Sequence, residues 1–271
     1  MKIRFFILLV LLISAFTGCI KRDNSEFTDS PIIESYLLPG NYLSLQVTRQ
    51  IPFSSVVSYS SDNIDSLNIR VSHNDKTYVL TPQGNGKYID NSIVIREGDT
   101  YNLSFTYNSR NVSAYSQIPG KPRKFTQSAF SIAVNRMSST SGFPSGGPGT
   151  MPEPVTLTWD NNDESYYIVV IENMESTLDP IRDFGDAAPP GNVFKKPPTT
   201  SSGLQLRPQE FQYFGKHRLI LYHVLPDYAS LYSDKSTSSQ NLTNPSTSIL
   251  NGYGIFTGLN SDTLYLNVYE N

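Results

Sequence analysis

Tyr101-Asn102-Leu103-Ser104-Phe105-Thr106-Tyr107-Asn108 and, one residue on, Arg110-Asn111-Val112-Ser113-Ala114-Tyr115-Ser116-Gln117 decide the fold class. In the first segment apolar side chains alternate with Asn, Ser and Thr, the spacing of a strand with one dry and one wet face. Working outward, the same period or a short apolar run recurs over Ile32 to Leu38, Tyr42 to Arg49, Asn68 to His73, Lys76 to Pro82, Tyr88 to Ile89 and Ile93 to Ile95. Between these lie Pro39-Gly40-Asn41, His73-Asn74-Asp75, Gly84-Asn85-Gly86 and Glu97-Gly98-Asp99, residues that tolerate or require positive φ. Turn signals about ten residues apart predict an antiparallel, immunoglobulin-like sandwich. Ile118-Pro119-Gly120-Lys121-Pro122 closes it, because proline removes ladder donors, and the first domain is expected to span residues 31–120.

A second sandwich-like domain is expected over residues 121–271. Met137 to Pro154 is rich in Ser, Gly and Pro and predicts a long loop. Val155-Thr156-Leu157-Thr158-Trp159-Asp160, a polar turn and Tyr166-Tyr167-Ile168-Val169-Val170-Ile171-Glu172 resemble a fibronectin type III hairpin, with Leu157, Trp159, Tyr167 and Val169 facing inward. A second Pro- and Gly-rich excursion runs from Leu178 to Gly203. Strand pattern resumes over Lys216 to Val224, and Pro226-Asp227-Tyr228-Ala229-Ser230-Leu231-Tyr232 predicts a short helix with Tyr228 and Leu231, or Tyr228 and Tyr232, on one face. Asn251-Gly252-Tyr253-Gly254-Ile255-Phe256 then enters a last strand, Asp262 to Tyr269, whose Leu264, Leu266 and Val268 face should be core. The fold class so predicted is all-β: two immunoglobulin/fibronectin-III-like β-sandwich domains with long Gly/Ser/Pro-rich loops and a short helix near the C-terminal end.

The chain starts with Lys2 and Arg4, an apolar run from Phe5 to Ile13 and Phe16-Thr17-Gly18-Cys19. A basic start, a short apolar stretch and small residues before a cysteine describe a lipoprotein signal over residues 1–18, the run being too short to span a bilayer as a helix. Cleavage would leave Cys19 as the acylated N-terminus, followed by a polar tether over residues 19–30. Cys19 is the one cysteine in the sequence, so an intramolecular disulfide is excluded. The net charge of -3 loses Lys2 and Arg4 with the leader and becomes -5. With basic groupings as short as Lys121-Pro122-Arg123-Lys124 and Lys195-Lys196, nucleic-acid binding is disfavoured.

Residues that could carry chemistry are few. Asp160-Asn161-Asn162-Asp163-Glu164 clusters oxygen ligands but lacks the spacing of a calcium loop and reads as a hairpin turn; Asp179, Asp183 and Asp186 read similarly. His73, His217 and His223 are the three histidines. Alternation puts His217 and His223 on one strand face about 20 Å apart, too far to share a metal. A nucleophile elbow, phosphate loop or dinucleotide fingerprint does not occur in the sequence. The reading is therefore a binding protein and not an enzyme, with no metal or cofactor. Tyr213, Phe214, Phe143 and Phe184 lie in or beside the long loops and are the candidate partner-contact residues; the loops Met137 to Pro154 and Leu178 to Gly203 are the expected partner-facing edge.

Tyr36-Leu37, Ile51-Pro52, Gly86-Lys87-Tyr88, Gly98-Asp99-Thr100-Tyr101-Asn102-Leu103 and Ser113-Ala114-Tyr115-Ser116-Gln117-Ile118-Pro119 follow one another in an order that resembles the family of domain of unknown function 4249. Asp227 to Tyr232, Asn244-Pro245 and Asn251 to Gly258 extend the resemblance. Tyr253 departs from the Gly-Leu-Gly form common there. The resemblance implies a lipoprotein of Bacteroidota encoded near TonB-dependent outer-membrane receptors, and it brings no catalytic residues. The expected function is a lipid-anchored outer-membrane protein, with the cell surface the expected face and the periplasmic face left open. There it would serve a TonB-dependent receptor in nutrient uptake as a non-catalytic accessory. The alternatives are a surface carbohydrate-binding lipoprotein and a structural or adhesion module without a transporter.

Overall fold

The computed structural model describes residues 29–51, 62–137, 153–184, 188–233 and 247–271. Residues 1–28 with Cys19, most of the Met137 to Pro154 loop with Phe143, and Pro52, Asp186 and Asn244-Pro245 lie outside the described residues.

The structure is mostly β, with its strands in several layered sheets. In the first unit, β3 (Arg70–His73), β4 (Lys76–Val79), β7 (Thr100–Tyr107) and β8 (Arg110–Gln117) form a sheet of order β4-β3-β7-β8. Its alternation comes out as read: Tyr101, Leu103, Phe105 and Tyr107 are buried. Asn108 and Ser109 sit at φ 45° and 61°, and Asn74 and Asp75 at 48° and 58°. Each pair makes a two-residue hairpin whose positive φ matches the strand twist. Opposite lies the layer formed by β1 (Pro31–Leu37), β2 (Tyr42–Arg49), β5 (Thr81–Gly84) and β6 (Lys87–Val94), with the short helix α1 (Asp62–Asp65) beside it. Two strand boundaries differ from the reading. The run Lys76 to Pro82 breaks at buried Leu80, where the chain crosses from one sheet to the other, and the segments around Tyr88 and Ile93 join into β6 through a register shift opposite Tyr42 and Leu43.

In the second unit, β9 (Thr126–Gln127), β11 (Val155–Thr158) and β14 (Gly203–Leu206) form one sheet. Facing it, β12 (Tyr166–Asn173), β13 (Val193–Lys195), β15 (Gly215–Val224) and β16 (Tyr253–Glu270) run in the order β13-β12-β15-β16, with β10 (Ser131–Val134) parallel to the far end of β16. Three strands packed against the four of β13-β12-β15-β16 is the arrangement of an immunoglobulin-type sandwich. Leu157, Trp159, Tyr167 and Val169 meet in its core, as the fibronectin-like pattern predicted. The excursion Leu178 to Gly203 holds structure of its own, since β13 pairs with β12 and Thr199 bridges Tyr167.

The 18-residue strand β16 joins the two units. Its start, Tyr253 to Gly258, runs parallel to β1; Leu259 to Val268 then pairs antiparallel with β15. One nine-stranded sheet results, and the chain crosses the boundary expected at 120/121 a second time: Ile249 and Phe256 are buried in the core of the first unit, Leu266 and Val268 in that of the second. The glycines before the crossing follow from close approach. Gly254 has φ 93°, and a Cβ there would fall 2.0 Å from the Ile33 carbonyl oxygen. Helix α2 (Pro226–Ser233) packs across the outer face of the sheet, next to β16.

Phe256 is fully buried among side chains from the other end of the sequence. Phe256→Ala should cost about 3–5 kcal/mol by chemical denaturation. Faster amide hydrogen exchange in β1 and β2, and not only in β16, is the expected local readout.

Candidate functional site

The second unit's sheet buries residues on both sides. Tyr167, Val169 and Ile171 of β12 enter the inner core, and their neighbours Ile168 and Val170 point to the outer face. A strand dry on both faces needs a second covering layer. Here a third apolar cluster supplies it, formed by Ile168, Val170, Ile220, Val224 and Leu259 with Leu38, Tyr222, Tyr228 and Tyr232 against them. The cover is partial, and beside α2 a groove of about 410 Å³ remains.

The floor of the groove is aliphatic: Leu38 beside β1, Ile168 and Val170 from β12, Val224 from β15 and Leu259 from β16. Its walls are phenols. Tyr36 of β1 meets Tyr228 of α2 edge to face at 5.9 Å, and Tyr222 stands on β15. Glu34 and Lys195 supply the charge at the rim. Leu38, Tyr36 and Glu34 belong to the first unit and the remaining residues to the second, so the continuous sheet builds the site. It is of the size and mostly apolar lining usual for ligand pockets.

Helix α2 is too short to be stable in isolation, and specific contacts hold it. Pro226 opens it, a position where a missing N–H costs nothing. Thr257 of β16 donates from Oγ1 to Asp227 Oδ1 at 3.0 Å, the same oxygen accepts the Tyr228 N–H at 2.8 Å, and Ala229 is buried beneath. Of the two pairings read from the sequence, Tyr228 and Tyr232 form the ring contact, at 6.1 Å. A second hollow of about 350 Å³ lies on another side of the helix, lined by Tyr166, Pro197, Pro198 and Tyr232 among others.

The phenols are neutral at physiological pH, and desolvation raises their pKa values further. The Tyr36 hydroxyl is pushed up to about 12, first by desolvation and then by Glu34, to which it hydrogen bonds. Tyr228 is raised by burial and by Tyr232, and Tyr222 by burial. The walls therefore present uncharged aromatic surface with hydroxyl donors and acceptors.

Two of the residues chosen from sequence prove to be core. Tyr213 is 3% exposed and its hydroxyl donates to the Pro190 carbonyl; Phe214 is 6% exposed, with the Arg136 guanidinium 4.7 Å above its ring. They fasten the Leu178 to Gly203 excursion to β15, which is why aromatic residues stand beside a loop there. Arg136 pins the same region with two hydrogen bonds to Asp179, at 2.8 and 2.9 Å, and three to Glu270, at 2.8, 3.1 and 3.1 Å. Phe184 is half-buried and does not line the groove. The excursion contributes Lys195 to the groove and Pro197 and Pro198 to the second hollow. Sequence reading passed over Tyr36 and Tyr222 because they alternate within strands; the i, i+4 tyrosines of α2 were the available signal.

The acidic turn is a turn. Asn161 accepts from the Ser165 N–H and donates to the carbonyls of Ser165 and Thr200, Asp163 accepts from the Ser165 hydroxyl, and Asp160 pairs with Lys124 at 3.0 Å. Among the described residues, no group of three or more His, Cys, Asp or Glu is placed to hold a metal ion. His73 stacks on Tyr101 at 4.5 Å and lies 3.1 Å from Asp99; His223 stacks on Tyr167 at 4.8 Å. His217 is buried beside Phe211 and Asn173, and desolvation lowers its pKa from the usual 6.5.

These shifts set two pH limits on stability. A lowered histidine pKa contributes stability above pH 6.5 that is lost as pH falls through the folded-state value, so thermal melts should weaken on the acid side and His217→Gln should flatten that limb. A raised phenol contributes stability fully present below pH 10 and lost as pH rises through about 12. Tyr36→Phe should flatten the alkaline limb and remove one late-titrating phenolate from an ultraviolet titration.

None of the curated proteins compared with the chain matches it. A family profile does, over residues 22–264, nearly the whole chain, and the protein thus belongs to the family described as Domain of unknown function (DUF4249).

Proposed function

We propose that this protein is an outer-membrane lipoprotein, anchored through Cys19, that binds rather than catalyses and acts beside a TonB-dependent receptor in nutrient uptake. The observation that carries a binding role is the phenol-walled groove at the junction of the two units, an aliphatic and aromatic surface suited to contact and not to proton transfer. The leader and cysteine support the anchor, and the resemblance of the ordered motifs supports the receptor. A lipid tether raises local concentration at the membrane, so a modest interface suffices to hold a complex.

A surface carbohydrate-binding role is the second reading. Tyr36, Tyr222 and Tyr228 favour it, because aromatic faces stack on sugar rings.

Cys19→Ala should move the protein from the membrane fraction to a soluble one, and continued retention would count against the anchor. Native protein purified from gently solubilised outer membranes should bring a TonB-dependent receptor at near-equal amount by mass spectrometry. Recovery of the protein alone, with saturable binding on a glycan array, would favour the carbohydrate reading instead.

A further inference from the structure

The floor and the two ends of the groove differ in chemistry, and the difference specifies a ligand. Val170, Ile168, Val224, Leu259 and Leu38 offer no hydrogen bond. A hydroxyl or amide laid on them unpaired would cost about 1–3 kcal/mol, so the part of a ligand that covers the floor is apolar. The length follows from the strand order. Lys195 stands on β13 and Glu34 on β1, with β12, β15 and β16 between them. Four inter-strand steps make roughly 19 Å across the sheet, and the register adds an offset along it, since Glu34 lies opposite Ile255 of β16 whereas Lys195, through Val170 and Ile220, is level with Thr263. The site is a trough running diagonally over the strands.

Its ends are not equivalent. Glu34 is engaged by the Tyr36 hydroxyl, beside the edge-to-face contact of Tyr36 with Tyr228. Lys195 lies opposite Val170 in the β12–β13 register, and among the described residues no ion pair or hydrogen bond engages its ammonium. Its neighbour Lys196, by contrast, is paired with Glu210. A solvent-exposed ammonium at the end of an apolar trough, with no partner among the described residues, favours an anion carried on an apolar chain.

We infer that the groove binds a single-tailed amphipathic anion, its head at Lys195 and its tail over Val170, Ile168, Val224 and Leu259 toward Leu38. This rests on the groove being the binding site of the proposed function. Uncharged phenol walls suit such a tail, since they add apolar area without a competing charge. A free fatty acid and a single-tailed anionic phospholipid share this chemistry.

The test uses the mature chain with Cys19→Ser, so that no acyl group of its own competes. Dodecanoate, dodecyltrimethylammonium and lysophosphatidylglycerol are titrated calorimetrically below their micelle thresholds. Dodecanoate should bind saturably, one per chain, and about tenfold tighter than the cation of equal tail. Lys195→Glu should reverse that preference, and Leu38→Trp, which fills the trough, should abolish binding while both variants keep the wild-type melting temperature. Tighter binding of lysophosphatidylglycerol would assign the anion to a lipid headgroup, and tighter dodecanoate to a free acid. Absence of binding, indifference to head charge, or unchanged preference in Lys195→Glu would overturn the inference. Receptor recovery from the outer membrane decides the accessory role separately, so either can fail alone.

Discussion

Everything in this structure depends on one strand pairing with two partners from opposite ends of the sequence. β16 gives its first six residues to β1 and the following ten to β15. The first half of the chain therefore completes its sheet with residues from the last nineteen of the sequence. Such a contact closes a very long loop, and non-local pairing of this kind slows folding. The benefit is rigidity where two sandwiches would otherwise meet through a linker. The outer face then runs without a break from β1 to β13, and the groove exists because of that continuity.

The energetics of that face are unusual for a sandwich. An outer face of this kind of sheet ordinarily alternates polar residues into water, whereas Ile168, Val170, Ile220 and Val224 put aliphatic side chains there. An eight-residue helix covers part of this surface through Ala229 and two tyrosines, with its first turn hydrogen bonded to Thr257. Hollows remain on more than one side of the helix. The phenols are neutral at physiological pH, so the surface combines aromatic area with hydroxyls and leaves the charge to the rim.

Much of the fold was legible because its signals are local. Alternation in β7, the Asn-Asp and Asn-Ser hairpins, the Leu157-Trp159 and Tyr167-Val169 pattern and the leucine face of β16 each follow from residues a few positions apart. The break at Leu80 was not legible, since a strand that changes sheets keeps the same apolar period on both sides of the crossing. Tyr213 and Phe214 misled for a related reason. An aromatic residue next to a loop reads as exposed until the loop is seen to fold back on it, as the excursion does through Pro190 and Asp179.

The sequence by itself determined most of the longer strands, the turns between them, the all-β class and the family, because periodicity, turn chemistry and motif order are properties of the chain read in one dimension. Only the tertiary structure decided that Tyr36 and Leu38 lie on one surface with Ile168, Tyr222 and Tyr228. That surface arises from the parallel register of β1 against β16, a pairing between distant segments that no local pattern encodes, and register is what turns alternating side chains into a shared face.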